Sequence, residues 1–139
     1  MYILDTNVLA ELMKAMGATV VLQWLDAHPR ANQFTTALNL AEILYGLTIM
    51  PKGRRRHELV LRAHQMIEQD FFERVLAFDQ RAAAHYADIY ATRESLGRRI
   101  APIDAQIAAV ARANGMAVVT RNIRDFEDCG IDLIDPWQV

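Results

Sequence analysis

A single cysteine in 139 residues excludes an internal disulfide and a thiolate zinc site. The chain is therefore expected to hold itself together by burial alone, in a reducing compartment such as the cytoplasm. Cys129 reads as a small core residue. Long apolar runs are also missing. The nearest candidates, such as Ile107 to Ala111, fall far short of the ~20 residues that cross a bilayer, and a membrane role is set aside. Neither charge sign dominates, since fifteen Lys plus Arg face seventeen Asp plus Glu for a net −2. Nucleic acid, if bound, must be gripped by a local patch rather than by overall charge. His28, His57, His64 and His85 have no metal-ligand spacing and read as surface or partly buried. Met1-Tyr2-Ile3-Leu4-Asp5 puts an acid where a signal peptide needs basic and then apolar residues, so no export signal is expected. No repeat, low-complexity tract or Pro- or Ser-rich linker marks a boundary, and residues 1–139 read as one domain.

What the chain does have is a globular composition, 53% hydrophobic and 23% charged. A domain of this size buries roughly two thirds of its unfolded surface. Tyr2-Ile3-Leu4 has strand character and is followed by Asp5-Thr6-Asn7 and the helical spacing Val8, Leu9, Leu12, Met13. A second amphipathic helix fits Thr19 to Ala27, closed by His28-Pro29. Gln33 to Thr36 predicts a strand, and Leu40, Ile43, Leu44 and Leu47 a helix ended by Met50-Pro51-Lys52-Gly53. Arg54 to Phe72 predicts one long helix and Arg74 to Phe78 a third strand. Asp79 is placed to cap a helix from Gln80 to Leu96 that stops at Gly97. Pro102 suits the first position of a helix running to Asn114, with Gly115 as its stop. Ala117 to Thr120 predicts a buried strand and Ile131 to Ile134 a peripheral one. Strands alternating with helices in this way call for an α/β fold of three layers, a central parallel sheet flanked by helices.

In such sheets functional groups gather outside the carboxyl ends of the strands. Asp5 follows the first strand, Asp104 lies in the first turn of the helix begun by Pro102, and Asn122 and Asp125 follow Ala117 to Thr120. Glu42 interrupts a stretch from Ala37 to Leu47 that is otherwise apolar apart from Asn39. Each acid has a plainer role open to it, Asp5 as a helix cap and Asp104 as a complement to its own helix dipole. Carboxylates that converge repel one another unless a cation offsets them. Oxygen donors without a His or Cys set suit Mg²⁺ or Mn²⁺, and such an ion points to phosphodiester hydrolysis. Lys52-Gly53-Arg54-Arg55-Arg56 is the densest basic run, with three arginines against an unfavourable helix dipole. With Arg98, Arg99, Arg121 and Arg124 near strand ends, it suggests a basic rim able to hold RNA phosphates.

Four ordered stretches carry a family likeness: Tyr2-Ile3-Leu4-Asp5-Thr6-Asn7-Val8-Leu9, Ala41-Glu42-Ile43-Leu44-Tyr45-Gly46, Pro102-Ile103-Asp104-Ala105-Gln106-Ile107-Ala108, and Val119-Thr120-Arg121-Asn122-Ile123-Arg124-Asp125-Phe126. With the ending Asp135-Pro136-Trp137, the chain resembles from end to end the VapC-like group of PIN-domain ribonucleases, toxins of toxin–antitoxin pairs, including the FitB-like branch. The resemblance implies a Mg²⁺- or Mn²⁺-dependent endoribonuclease with Asp5, Glu42 and Asp104 as metal-binding acids and Thr6 and Asn7 supporting Asp5. It also implies an antitoxin partner, a homodimer built on helices, and a larger hetero-oligomer with the antitoxin. Many PIN domains have an acid where this chain has Asn122, so the fourth position falls to Asn122 or to Asp125 one turn later. Only Asp125 brings charge, and a neutral Asn122 points to one tightly held ion. Two other readings remain at this point. One is a non-catalytic RNA-binding or interaction module on the same fold, motivated by the missing fourth acid. The other is a metal-dependent phosphatase or phospho-acceptor domain, which also uses an Asp after its first strand but has a second acid where this chain has Asn7, and a catalytic Lys.

Overall fold

In the computed structural model, which describes residues 1–139, five short strands form one sheet in the order β3-β2-β1-β4-β5, every neighbouring pair parallel. They are β1 (Tyr2–Leu4), β2 (Gln33–Thr36), β3 (Val75–Leu76), β4 (Ala117–Val119) and β5 (Leu133–Ile134). Parallel strands need crossover connections, and the helices supply them. The helices are α1 (Thr6–Met13), α2 (Thr19–Asp26), α3 (Ala37–Ile49), α4 (Arg54–Gln65), α5 (Gln80–Ser95), α6 (Pro102–Asn114) and α7 (Ile123–Phe126). No helix is long and apolar enough to cross a membrane.

The period of two along a strand sorts the core into two halves. Ile3 and Val118 point to one face, where they pack with Ala105, Ile107, Val110, Ile89 and Phe126 from α5 to α7. Leu4 and Val119 point to the other and meet Val8, Leu9, Val21, Ile43 and Met66. Side chains of β1 and β4 are therefore buried on both sides, the expected state of central parallel strands. The three-layer expectation holds.

Local signals acted as the sequence indicates. Asp79 accepts from the Ala82 amide at 3.0 Å and starts α5. Pro102 opens α6, and Gly115 closes it in the left-handed conformation (φ 63°), which only glycine adopts without strain. Two expectations are corrected. The single helix expected over Arg54 to Phe72 ends as α-helix at Gln65, and Met66–Asp70 form a π-helical turn. That wider turn accompanies full burial of Met66 and Phe71, at 2% and 3% exposure, against the sheet. The third strand is only Val75–Leu76, because it pairs with β2 alone through Thr35 and Thr36. The one-turn helix α7 has no signal in hydrophobic period, being too short to show one. Cys129 is buried at 2% exposure, a core residue as expected.

Candidate active site

β1 and β4 lie side by side at the centre of the sheet, so the loops after them meet at its carboxyl edge. The Asp5 backbone N–H extends the ladder by donating to the Val119 carbonyl at 2.9 Å, and this fixes where its side chain starts. The Asp5 carboxylate makes no capping bond to α1. It is 5% exposed and accepts from Asn39 Nδ2 at 2.9 Å on Oδ1 and from Thr120 Oγ1 at 2.7 Å on Oδ2. The cap alternative for Asp5 is thereby replaced by a role at the sheet edge.

From Asp5 the polar network runs in two directions. Thr36 Oγ1 donates to Asn39 Oδ1 at 2.6 Å and accepts the Asn39 backbone N–H, which turns the Asn39 amide toward the acids. Asn39 Nδ2 also donates to Thr6 Oγ1 at 3.1 Å, and Thr6 donates onward to Glu42 Oε1 at 2.6 Å. Every donor in this chain faces an acceptor, so Thr6 holds Glu42 as well as flanking Asp5. On the other side Thr120 Oγ1 accepts the Asn122 N–H at 3.0 Å and stands 3.4 Å from Asn7 Nδ2. Asn7 Oδ1 in turn accepts the Arg121 N–H at 3.2 Å. Asn7 and Asn122 thus organise the loop, Asn122 through its backbone.

The charges feel one another. Burial, then the carboxylates of Asp5, Asp125 and Glu42, push the Asp104 carboxyl up to about 6, with Arg93 pulling the other way. An Asp in the first turn of a helix would otherwise be pulled down by the dipole, so burial and then the neighbouring acids outweigh it. Burial likewise raises the Asp5 carboxyl, opposed by its side-chain bonds from Thr120 and Asn39. Four acids separated by up to 120 residues therefore share one field, and both Asp104 and Asp5 respond to Asp125.

No three His, Cys, Asp or Glu groups close round a single point as a ready-made metal cage. Asp5 is turned to Thr120 and Asn39 and Glu42 to Thr6, as mutually repelling carboxylates bonded to neutral donors stand. The donor set still fits a hard divalent ion. It is all oxygen, and Mg²⁺ keeps several waters while bound through only one or two carboxylates.

The basic candidates separate. Arg55 lines a cleft of about 270 Å³ that also contains Thr6 and Glu42, beside the acids. Arg54 is exposed and pairs with Glu58 at 3.2 Å. Arg98 is already engaged, at 2.6 Å from Glu127 and 2.7 Å from Asp128. Arg99 and Arg124 are exposed. Arg121 sits over the Trp137 ring. Sequence reading passed over Thr36, Thr120 and Arg93, and used Asn39 only as an exception. Asn39 carried a usable signal: an asparagine three residues after Thr36 and three before Glu42, in an apolar helix, is 0% exposed and needs partners.

A family model described as "PIN domain" matches residues 2–131. The chain is 40% identical over 138 residues to VapC ribonuclease Y4jK of Sinorhizobium fredii, covering 99% of each chain. It is 32% identical over 137 residues to toxin FitB of Neisseria gonorrhoeae, again over 99% of each. The crystal structure of FitAcB from Neisseria gonorrhoeae matches 100% of both chains with a TM-score of 0.92 at 32% identity.

Proposed function

The chain belongs to the PIN-domain family, and on that premise we propose that it is a Mg²⁺- or Mn²⁺-dependent endoribonuclease, the toxin of a toxin–antitoxin pair, acting in the cytoplasm. The observation that carries this reading is the gathering of Asp5, Glu42, Asp104 and Asp125 at the carboxyl edge of the sheet, where burial and then the other three carboxylates raise the Asp104 carboxyl. Asp5, Glu42 and Asp104 would hold the ion, with Asp125 as the further acid. A divalent ion supplies a more acidic water and offsets charge on phosphoryl oxygens. The protein's own part is orientation. Thr120 and Asn39 leave each Asp5 oxygen one bonded direction and free lone pairs, and Thr6 holds Glu42 through one oxygen only. Arg55 and Arg121 flank the acids and suit the phosphates on either side of the cut.

A relative named as a VapC ribonuclease and another named as toxin FitB support the activity and the class. FitAB and VapBC assemblies bound to DNA are structural neighbours at 32% and 27% identity, which supports a cognate antitoxin and a hetero-oligomer. We read residues 1–139 as one PIN domain. The phosphatase alternative lacks its parts: Asn7 is spent on Thr120 and Arg121, and of two lysines Lys14 is paired with Glu11 while Lys52 lies exposed in the turn before α4. The non-catalytic alternative rested on a missing fourth acid, and Asp125 supplies that charge.

The test is incubation of purified, partner-free protein with total RNA and Mg²⁺ or Mn²⁺, with and without chelator, followed by mapping of the cut ends. Defined cuts that vanish with chelator and in Asp5→Asn are expected. Cleavage surviving in Asp5→Asn, or none in the wild type, would overturn the reading.

A further inference from the structure

Arg93, near the end of α5, is a cation buried to 4% exposure, and none of the ion pairs of the structure includes it. A buried charge is costly unless hydrogen-bonded. Arg93 spends its guanidinium on four backbone carbonyls: Nε donates to Arg98 at 2.7 Å, Nη2 to Arg99 at 3.1 Å, and Nη1 to Asp125 at 3.1 Å and to Glu127 at 2.8 Å. Cys129 Sγ lies 3.9 Å from Nη1 and completes the enclosure.

Those carbonyls belong to two segments. Arg98 and Arg99 lead into α6, whose first turn carries Asp104. Asp125 and Glu127 belong to α7 and the residues after it. α7 has four residues, one turn, and a helix that short does not hold itself, nor do its last carbonyls find partners within it. The Asp125 side chain is exposed, so its position is set by its backbone. The outer pairs from Arg98 to Glu127 and Asp128 join the same segments at the surface, where solvent weakens them.

We propose that Arg93 is a positioning residue for the acidic centre: its planar fork ties the turn bearing Asp125 to the stretch leading into Asp104, and so fixes one acid in register with the other. It acts through the Asp125 backbone and touches no reacting atom. The role requires a fork, since a lysine ammonium keeps the charge but offers its donors from one point and cannot span both segments. The proposal rests on the ribonuclease reading above.

The experiment is a double-mutant cycle on RNA cleavage with Arg93→Lys, Asp125→Ala and the pair. Arg93→Lys is expected to lower kcat about tenfold, the scale of a modest misplacement, with KM for RNA within about twofold. The double variant should be no slower than Asp125→Ala alone, because groups acting as a unit are not additive. Multiplying effects, or wild-type kcat in Arg93→Lys, would overturn the proposal. Arg93→Gln serves as a second variant, and loss of the circular-dichroism signature in both would make Arg93 a folding residue and overturn it equally. A wild type that cuts no RNA tells against the ribonuclease reading alone. Amide order parameters then decide on Arg93. A fall to below about 0.6 over Ile123–Phe126 in Arg93→Lys, with β1 and β4 still near about 0.85, supports the tie. Unchanged order over α7 rejects it.

Discussion

The guanidinium of Arg121 lies over the indole of Trp137, 5.0 Å from its centroid, while the Arg121 backbone N–H is held by Asn7. Trp137 itself packs against the core cluster that contains Leu4 and Val8, so the ring is a fixed platform. An exposed arginine usually wanders; this one is restrained just after β4 without losing its charge to a carboxylate. Measured with RNA in chelator, Arg121→Ala is predicted to weaken binding and reduce the slope of log K against log salt by about 1, as one phosphate contact does. Trp137→Leu should weaken binding with the slope kept. An unchanged slope in Arg121→Ala would remove Arg121 from the phosphate contacts.

Asp104 is predicted to titrate with a midpoint of about 6 in the metal-free protein. The folded state prefers its neutral form, so the stability this group adds is full below the ordinary value of 3.8 and is lost as pH rises through about 6. A divalent ion favours the charged form, so Mg²⁺ should move the midpoint down, and cleavage in saturating Mg²⁺ should persist below about 6 and fall only through that lowered midpoint. Carboxyl carbon NMR reads the first two directly. A metal-free midpoint near 3.8 would show that the four acids do not share a field.

Asn39→Ala is predicted to cost about 2 kcal/mol, because it strands Thr36 and removes a donor from buried Asp5. Chemical denaturation should show it, together with weaker Mn²⁺ binding by calorimetry. An effect under about 0.5 kcal/mol, the range of an ordinary surface change, would mean the network is dispensable.

For the fourth position, Asp125→Ala should reduce cleavage at least about tenfold and Asn122→Ala much less, since Asn122 serves Thr120 through its backbone N–H, which alanine keeps. The reverse order in an RNA cleavage assay would reassign the position to Asn122.

On α3, Tyr45 and Ile49, one turn apart, are 66% and 64% exposed, with Leu44 beside them at 40%, an exposed apolar patch on that helix. The homodimer is predicted to bury it. Light scattering should give about twice the 15.8 kDa chain mass for the wild type and the single mass for Tyr45→Glu. A monomeric wild type would place the subunit contact elsewhere or nowhere.

Sequence alone determined the class of fold, because strand and helix periods differ and alternate cleanly from Tyr2 to Asn114, and because Asp79, Pro102 and Gly115 act within a turn of themselves. It also pointed to the acids, since a Glu inside an apolar helix and Asp residues after strands are local anomalies. Tertiary structure decided the rest. Which donor holds which carboxylate depends on β1 lying between β2 and β4, which brings Asn39 and Thr120 to Asp5 across 34 and 115 residues. Arg98 looks free in the sequence and is committed in the fold, whereas Arg93, which nothing in the sequence singles out, is buried. Periodicity records which face of an element is apolar. It says nothing of which carbonyls a distant loop will leave without a donor, and Arg93 meets that need only once α5, α6 and α7 have packed together.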